Sequence, residues 1–323
     1  MLTAGLAACL PSFRLSTMIA SFHTRSLPRR ASMAALATVC VWSCVEPGLA
    51  KSENGPPRVV ASIFPLGDLT AMVAGTDLTV EVLVPPRADP STFEPSPRRL
   101  RELAGARAFI IVGGGVDDWS QAALPGTDNI PRVALNDGIT LRKGGGPEGT
   151  HDPHVWLDPV MVRDSWLPLI VATLVAARPD AREALEARGQ IVADSLTTLD
   201  AWMSAHLTPA SGRAFVATHS AWHYLAARHG IRELGAVYSS PGQEPSARSL
   251  ANLVQQARAA GVRAVFTEPQ LGDTGARALA GELGVPVYVL DPLGGPGLVG
   301  RETYLEMMRF NTMQMARALD GEL

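Results

Sequence analysis

The chain has 323 residues, of which 46% are hydrophobic and 18% are charged, and its formal net charge is −3. This composition is typical of a folded globular protein and excludes a fibrous or disordered chain. The length predicts two domains or one large one.

An export leader is predicted at residues 1–50. The apolar stretch MAALATVCVWSCV at 33–45 is too short to span a bilayer as a helix. It follows the arginine pair at 29–30 and precedes small residues that end at Ala50, as in a signal peptide cleaved after Ala50. The start codon (Met18 and Met33 are alternatives) and the choice between Sec and Tat export stay open.

The cysteines of the chain all lie in this leader, at positions 9, 40 and 44. A lipid anchor at Cys44 is a minor alternative, because Trp42 is bulky where a lipoprotein signal has a small residue. Without the leader no thiolate remains, so a metal must be bound through nitrogen and oxygen. The mature part has 24 basic and 30 acidic residues, a net charge of −6, which disfavours nucleic acid as a partner.

Buried strands alternate with helices in the first part of the mature chain. Apolar runs predict strands at 59–64, 79–84, 108–112 and 132–135, with helices at 66–74 and 98–104. Residues 159–206 instead show helical spacing interrupted near Pro179. The second helix there has an apolar stripe formed by Leu185, Ile191, Val192, Leu196, Leu199 and Trp202.

The alternation then resumes, with strands predicted at 214–218, 235–238, 264–267 and 287–290 and helices at 246–260, 274–283 and 302–319. The predicted fold is α/β, with two lobes that each have a mostly parallel sheet flanked by helices, joined by a long rigid helix. The lobes are assigned to 51–178 and 209–323, with the linking helix at 179–208. Ligands of such sheets bind at the carboxyl ends of the strands, here in the cleft between the lobes.

Three residues combine a strand-end or loop position with metal-binding chemistry. His154 lies in a proline-framed loop before a helix, while His219 and Asp291 directly follow predicted strands. Imidazole and carboxylate together suit zinc or manganese. On spacing alone, each histidine could equally be a capping or surface residue, and Asp291 a helix or turn cap.

Other residues could assist this site. His223 follows His219 by one helical turn, and His151 precedes His154 in a Gly-rich loop. Glu268 follows a strand and could accept a hydrogen bond from an imidazole or pair with an arginine.

The chain resembles the cluster A-I (TroA-like) zinc and manganese solute-binding proteins of ABC importers. The matching stretches follow one another over the mature chain, at 59–66, 88–97, 152–159, 218–221, 244–246 and 267–270. The resemblance implies two lobes and a metal between them, with the family's second and third histidine ligands at His154 and His219 and its carboxylate at Asp291. Histidine at the family's third ligand position, here His219, is similar to the zinc-binding branch of the family. Manganese is the weaker alternative.

One position departs from the family motif Asp-Pro-His-Thr-Phe-Glu-Pro. Here Asp89-Pro90 is followed by Ser91, a poor zinc ligand, where the first histidine is expected. The fourth position is therefore open to water, or to Asp89, His223 or His151.

The resemblance implies an exported, periplasmic and monomeric protein that passes a divalent metal, expected to be zinc, to the permease of an ABC importer. Two alternatives stay open. Three ligands plus water would also suit a zinc hydrolase with Glu268 or Glu244 as base, although no HExxH motif is present. Loss of a ligand could also have left a binder of another solute or an adhesion protein.

Overall fold

The computed structural model describes residues 55–103, 105–120, 130–144, 151–238 and 246–320. The predicted leader with Cys44, part of the Gly-rich loop and Glu244 lie outside these residues. From Asn54 onward the chain is one compact unit.

Two four-stranded parallel sheets form the framework, as predicted. The first comprises β1 (Arg58–Ala61), β2 (Thr79–Val82), β3 (Ala108–Ile111) and β4 (Arg132–Ala134), in the order β2-β1-β3-β4. Helices α1 (Phe64–Ala74) and α2 (Pro97–Leu103) connect its strands.

The second sheet comprises β5 (Ala214–Ala217), β6 (Arg232–Ala236), β7 (Val265–Thr267) and β8 (Val287–Val289), in the order β6-β5-β7-β8. Its helices are α6 (His223–Arg228), α7 (Ala247–Ala260), α8 (Thr274–Leu283) and α9 (Tyr304–Asp320). In each sheet the connection from the second to the third strand passes over the first strand, so the strand order changes direction between β1 and β3 and between β5 and β7. Ligands of open α/β sheets bind beyond the carboxyl ends of the strands at such switch points.

A helical segment joins the two sheets. It runs through α3 (Pro159–Met161), a π turn (Val162–Trp166), α4 (Leu167–Ala177) and α5 (Arg182–Leu207). Helix α5 has 26 residues and packs against α1, α4 and α9. It therefore contacts a helix of the first sheet, α1, and a helix of the second sheet, α9. The predicted lobe boundaries remain a prediction.

The predicted apolar stripe of α5 is buried at four of its six positions, with Trp202 partly buried and Ile191 exposed. Leu185, Val192, Leu196 and Leu199 are at most 2% exposed, whereas Ile191 is 63% exposed. Ile191 lies one residue before Val192, and a step of about 100° per residue turns it away from the core.

One further expectation needs correction. The strand expected at 235–238 lies at Arg232–Ala236, because an edge strand tolerates the polar Arg232 and Glu233 that masked it. Among the described residues, Pro159–Ala177 has a mean hydropathy of 1.6 over a window long enough to span a bilayer. One face of this segment packs against α1, α5 and β3 and buries Leu167, Ile170 and Leu174, while 33% of the window as a whole is buried.

Candidate metal centre

The second sheet supplies the first half of the site. His219 lies two residues after β5, and Glu268 directly follows β7, the strand paired with β5. Adjacent parallel strands end side by side, so both Glu268 oxygens reach His219 Nδ1, at 3.0 and 3.1 Å. Trp222 Nε1 donates to the same carboxylate at 3.2 Å. The imidazole of His219 is therefore held from its Nδ1 side.

His154 lies in the segment that enters the connecting helices. A short 3-10 turn follows it at Val155–Leu157, and Asp158 then caps α3 through the backbone nitrogens of Val160 and Met161. Asp152 Oδ1 accepts hydrogen bonds from the His154 backbone at 3.0 Å and from His154 Nδ1 at 2.7 Å. His154 is thus also held by a carboxylate at Nδ1.

The structure brings these two imidazoles together. Their Nε2 atoms are 3.2 Å apart, and the ring planes meet at 67°. Two nitrogens bound to one tetrahedral zinc at about 2.05 Å would be about 3.3 Å apart. Carboxylates on both Nδ1 atoms fix the tautomer that leaves each Nε2 as a metal ligand.

The surrounding charges favour a cation between the rings. Burial opposes protonation of His219, but the carboxylate of Glu268, helped by Glu233 and Asp89, raises the pKa of His219 to about 9. Burial alone would raise the pKa of Asp152, yet the contacts with His154 and His223 hold it well below its usual range. The pair therefore lies in a negative environment that suits a proton or a metal ion.

Asp291 follows β8 but is engaged elsewhere. Its Oδ1 accepts from Gln270 Nε2 at 2.8 Å and from the backbone of Leu293 and Gly294, and its Oδ2 accepts from Arg301 Nη1 at 2.9 Å. Both oxygens are therefore used and the side chain is fully buried. To reach a metal, Asp291 would have to exchange the Arg301 contact for it.

Ser91 is used in a local turn. Its hydroxyl donates to Asp89 Oδ1 at 2.7 Å, and its backbone nitrogen donates to the same oxygen at 2.9 Å. The neighbouring Pro90 carbonyl accepts from Trp119 Nε1 at 3.0 Å, which ties this loop to the first lobe. Ser91 therefore orients a carboxylate that has one oxygen free of these bonds.

The remaining candidates surround the pair unequally. His223 Nδ1 lies 3.4 Å from Asp152 Oδ2 and 3.6 Å from Glu233 Oε2, as ion-pair contacts rather than well-aligned hydrogen bonds. His151 is exposed and forms an isolated bridge with Lys143. In the part of the chain that the structure describes, no three His, Cys, Asp or Glu side chains converge as a metal-binding group.

Comparisons with known proteins identify the type of molecule. Residues 59–318 match the family described as ZnuA, zinc-uptake complex component A, periplasmic. The chain belongs to this family. It is a family of periplasmic transport components and not of enzymes, and its location agrees with the predicted export.

Curated relatives share a low sequence identity with this chain but align over most of its length. Zinc-binding lipoprotein AdcA of Streptococcus pneumoniae R6 is 28% identical over 311 residues, covering 89% of this chain. The chain spans 60% of that relative's length. High-affinity zinc uptake system protein ZnuA of Bacillus subtilis is 28% identical over 281 residues, 82% of this chain and 88% of the relative. A crystal structure of a zinc-bound ZnuA 138–173 deletion mutant has a TM-score of 0.75 and 28% identity, covering 83% of this chain and 100% of that one.

Sequence reasoning missed four residues around the two histidines. Asp152 could have been found, since it stands two residues before His154 in an Asp-Pro-His motif. Glu233 lies on the displaced edge strand β6, and Tyr224 and Arg228 lie on α6. No sequence spacing relates these three to His154, from which they are separated by about 70 residues or more.

Proposed function

We propose that this protein captures a zinc ion on His154 and His219 and delivers it to an ABC importer. The observation that carries the proposal is the 3.2 Å separation of the two Nε2 atoms, each ring being held by a carboxylate at Nδ1. Two imidazoles at this distance suit one tetrahedral ion. The zinc-binding relatives and the zinc-bound neighbour support the same cargo.

Carboxylates complete the proposed coordination. Asp291 supplies an oxygen after leaving Arg301, and water or the free oxygen of Asp89 takes the fourth position. Ser91 contributes by orienting Asp89 rather than as a ligand. The two imidazoles favour zinc over manganese, which prefers oxygen ligands.

We propose that the protein has no enzymatic activity of its own. In a hydrolase, Glu268 would have to be free to take a proton from zinc-bound water. Its carboxylate instead faces His219 Nδ1 and accepts from Trp222, which suits a residue that orients a ligand.

Membership of a periplasmic zinc-uptake family supports a proposal for the cellular setting. We propose a monomer in the periplasm, released by cleavage of the leader, that docks on a membrane permease and does not bind nucleic acid. A lipid anchor at Cys44 is the alternative, and one relative is named a lipoprotein. Mass spectrometry of the exported protein distinguishes a chain beginning at Lys51 from a lipidated one beginning at Cys44.

The experiment is zinc titration of metal-free protein by calorimetry. We expect one ion per chain for the wild type, and loss of most of the affinity in His154→Ala and His219→Ala. His206→Ala is the matched control, because His206 lies on α5 and stacks on Trp202. Unchanged zinc affinity in both site variants would exclude the proposed pair.

A further inference from the structure

Helix α6 begins four residues after His219 and contacts the segment that carries His154. Tyr224 Oη donates to the Asp152 carbonyl at 2.9 Å and accepts from the Arg142 backbone at 3.0 Å. Arg228 Nε donates to Asp158 Oδ1 at 2.6 Å. The two side chains are four residues apart, so they lie on one face of the helix. One helix thus holds both ends of residues 152–158.

These contacts are sheltered from water, which makes them strong. Tyr224 is 3% exposed, and the side chains of Asp158 and Arg228 are 6% and 27% exposed. Hydrogen bonds to charged groups in such surroundings are stronger than neutral ones, and an unpaired partner left behind is costly. The hold on the segment is therefore built into the fold and is not a loose surface contact.

The held segment is also hydrogen-bonded within itself. The backbone nitrogen of Val155 donates to the Pro153 carbonyl, that of Leu157 to His154, and that of Asp158 to Val155. These bonds shape the segment into a compact turn, so contacts at its two ends restrain the backbone of His154, and the Asp152 carboxylate restrains the His154 ring.

We propose that Tyr224 and Arg228 are positioning residues that lock the His154 segment to the lobe carrying His219. The two imidazoles are thereby kept at a metal-binding separation before the metal arrives. This inference rests on the proposed zinc capture. Preorganisation of two ligands lowers the ordering cost of binding, so the later steps of capture fall to the carboxylates and the first-lobe loop at Asp89.

The test uses Tyr224→Phe and Arg228→Gln, with Arg228→Lys as the conservative variant. Tyr288→Phe and Arg258→Gln are matched controls: Tyr288 lies in β8, and Arg258 forms an exposed pair with Glu282. The first measurement is amide hydrogen exchange of residues 152–158 in metal-free protein. The second is zinc affinity by competition with a chelator, with the thermal midpoint recorded for every variant.

We expect faster exchange in residues 152–158 and roughly tenfold weaker zinc binding in Tyr224→Phe and Arg228→Gln. Arg228→Lys and both controls should behave like wild type. Because Tyr224→Phe keeps the buried ring, it tests the lock even if Arg228→Gln fails to fold.

The outcomes separate the lock from the proposed function. Unchanged exchange in Tyr224→Phe overturns the lock, and faster exchange with unchanged zinc affinity overturns its role in positioning. If wild-type protein binds no zinc, the proposed function fails, while the exchange measurement still decides whether α6 holds the segment.

Discussion

Ser91 stands where the family motif has a histidine, and its hydroxyl is already used in a hydrogen bond to Asp89. The proposed site therefore combines two imidazoles with a position left to an oxygen ligand or water. Asp291, the second proposed oxygen ligand, accepts a hydrogen bond from Arg301 that it would have to give up. At the scale of single residues, the proposal makes zinc affinity depend on how well these two oxygens replace one imidazole.

Replacing Ser91 by histidine tests this directly. We expect Ser91→His to bind zinc more tightly than wild type in calorimetric titration, because an imidazole is a better zinc ligand than a hydroxyl or water. Ser91→Ala is the control, since it removes the hydroxyl and adds no ligand. Equal affinities for wild type and Ser91→His would show that position 91 does not face the metal.

Strand β6 and helix α6 carry residues that contact the neighbours of His154 and His219. Strand β6 brings Glu233 under α6, where its Oε2 accepts from the Trp222 backbone at 3.2 Å and its side chain is fully buried. Burial raises the pKa of Glu233 from 4.5 to about 7, against the opposing charge of His223 and with help from the charge of Asp152. This element therefore carries an acid that titrates near neutral pH.

The raised pKa predicts a pH-dependent stability. The folded protein holds the Glu233 proton more tightly than the unfolded chain does. The resulting stabilisation is complete below pH 4.5 and is lost as the pH rises to about 7. Other groups titrate as well, including His223 and His219, so the quantity to measure is the difference between wild type and Glu233→Gln.

We expect urea unfolding of metal-free protein to show that wild type loses about 3 kcal/mol relative to Glu233→Gln between pH 4.5 and 7. Glu282→Gln is the matched control, because the Glu282 side chain is 59% exposed. Parallel pH profiles of wild type and Glu233→Gln would contradict the burial of a raised-pKa acid.

At the scale of the whole molecule, one hydrophobic core connects the two sheets. It contains Val59 of β1 and Phe215 of β5 together with the buried face of α5. Tyr304 adds a cross-connection, because its backbone nitrogen donates to Asp68 and its hydroxyl to the Trp156 carbonyl. The sheets therefore share their packing, and we expect them to unfold together.

A substitution in α5 that creates a cavity tests whether the two sheets unfold together. Leu199 is 1% exposed, and Leu199→Ala should lower the free energy of unfolding by about 2–5 kcal/mol. Urea denaturation followed by tryptophan fluorescence and circular dichroism should still show a single transition. Ile191→Ala, on the exposed side of the same helix, should change the stability by less than about 0.5 kcal/mol. Two separated transitions in Leu199→Ala would show that the lobes unfold independently.

The sequence by itself determined the two α/β lobes, the long helix between them, the loop position of His154 before a helix and the position of His219 after a strand. Apolar runs and helical periodicity are local signals, and parallel strands place their carboxyl ends at one edge of a sheet. The prediction placed the edge strand β6 at the wrong residues, because its polar residues carry little of the apolar signal.

Only the tertiary structure decided which groups meet. The pairing of Glu268 with His219, the contact of Glu233 with the start of α6 and the engagement of Asp291 by Arg301 all join residues that are distant in sequence or lie on different elements. Such pairs depend on strand order and side-chain direction, which no local pattern contains. The sequence therefore determined where ligands could lie, and the packing decided which of them face each other.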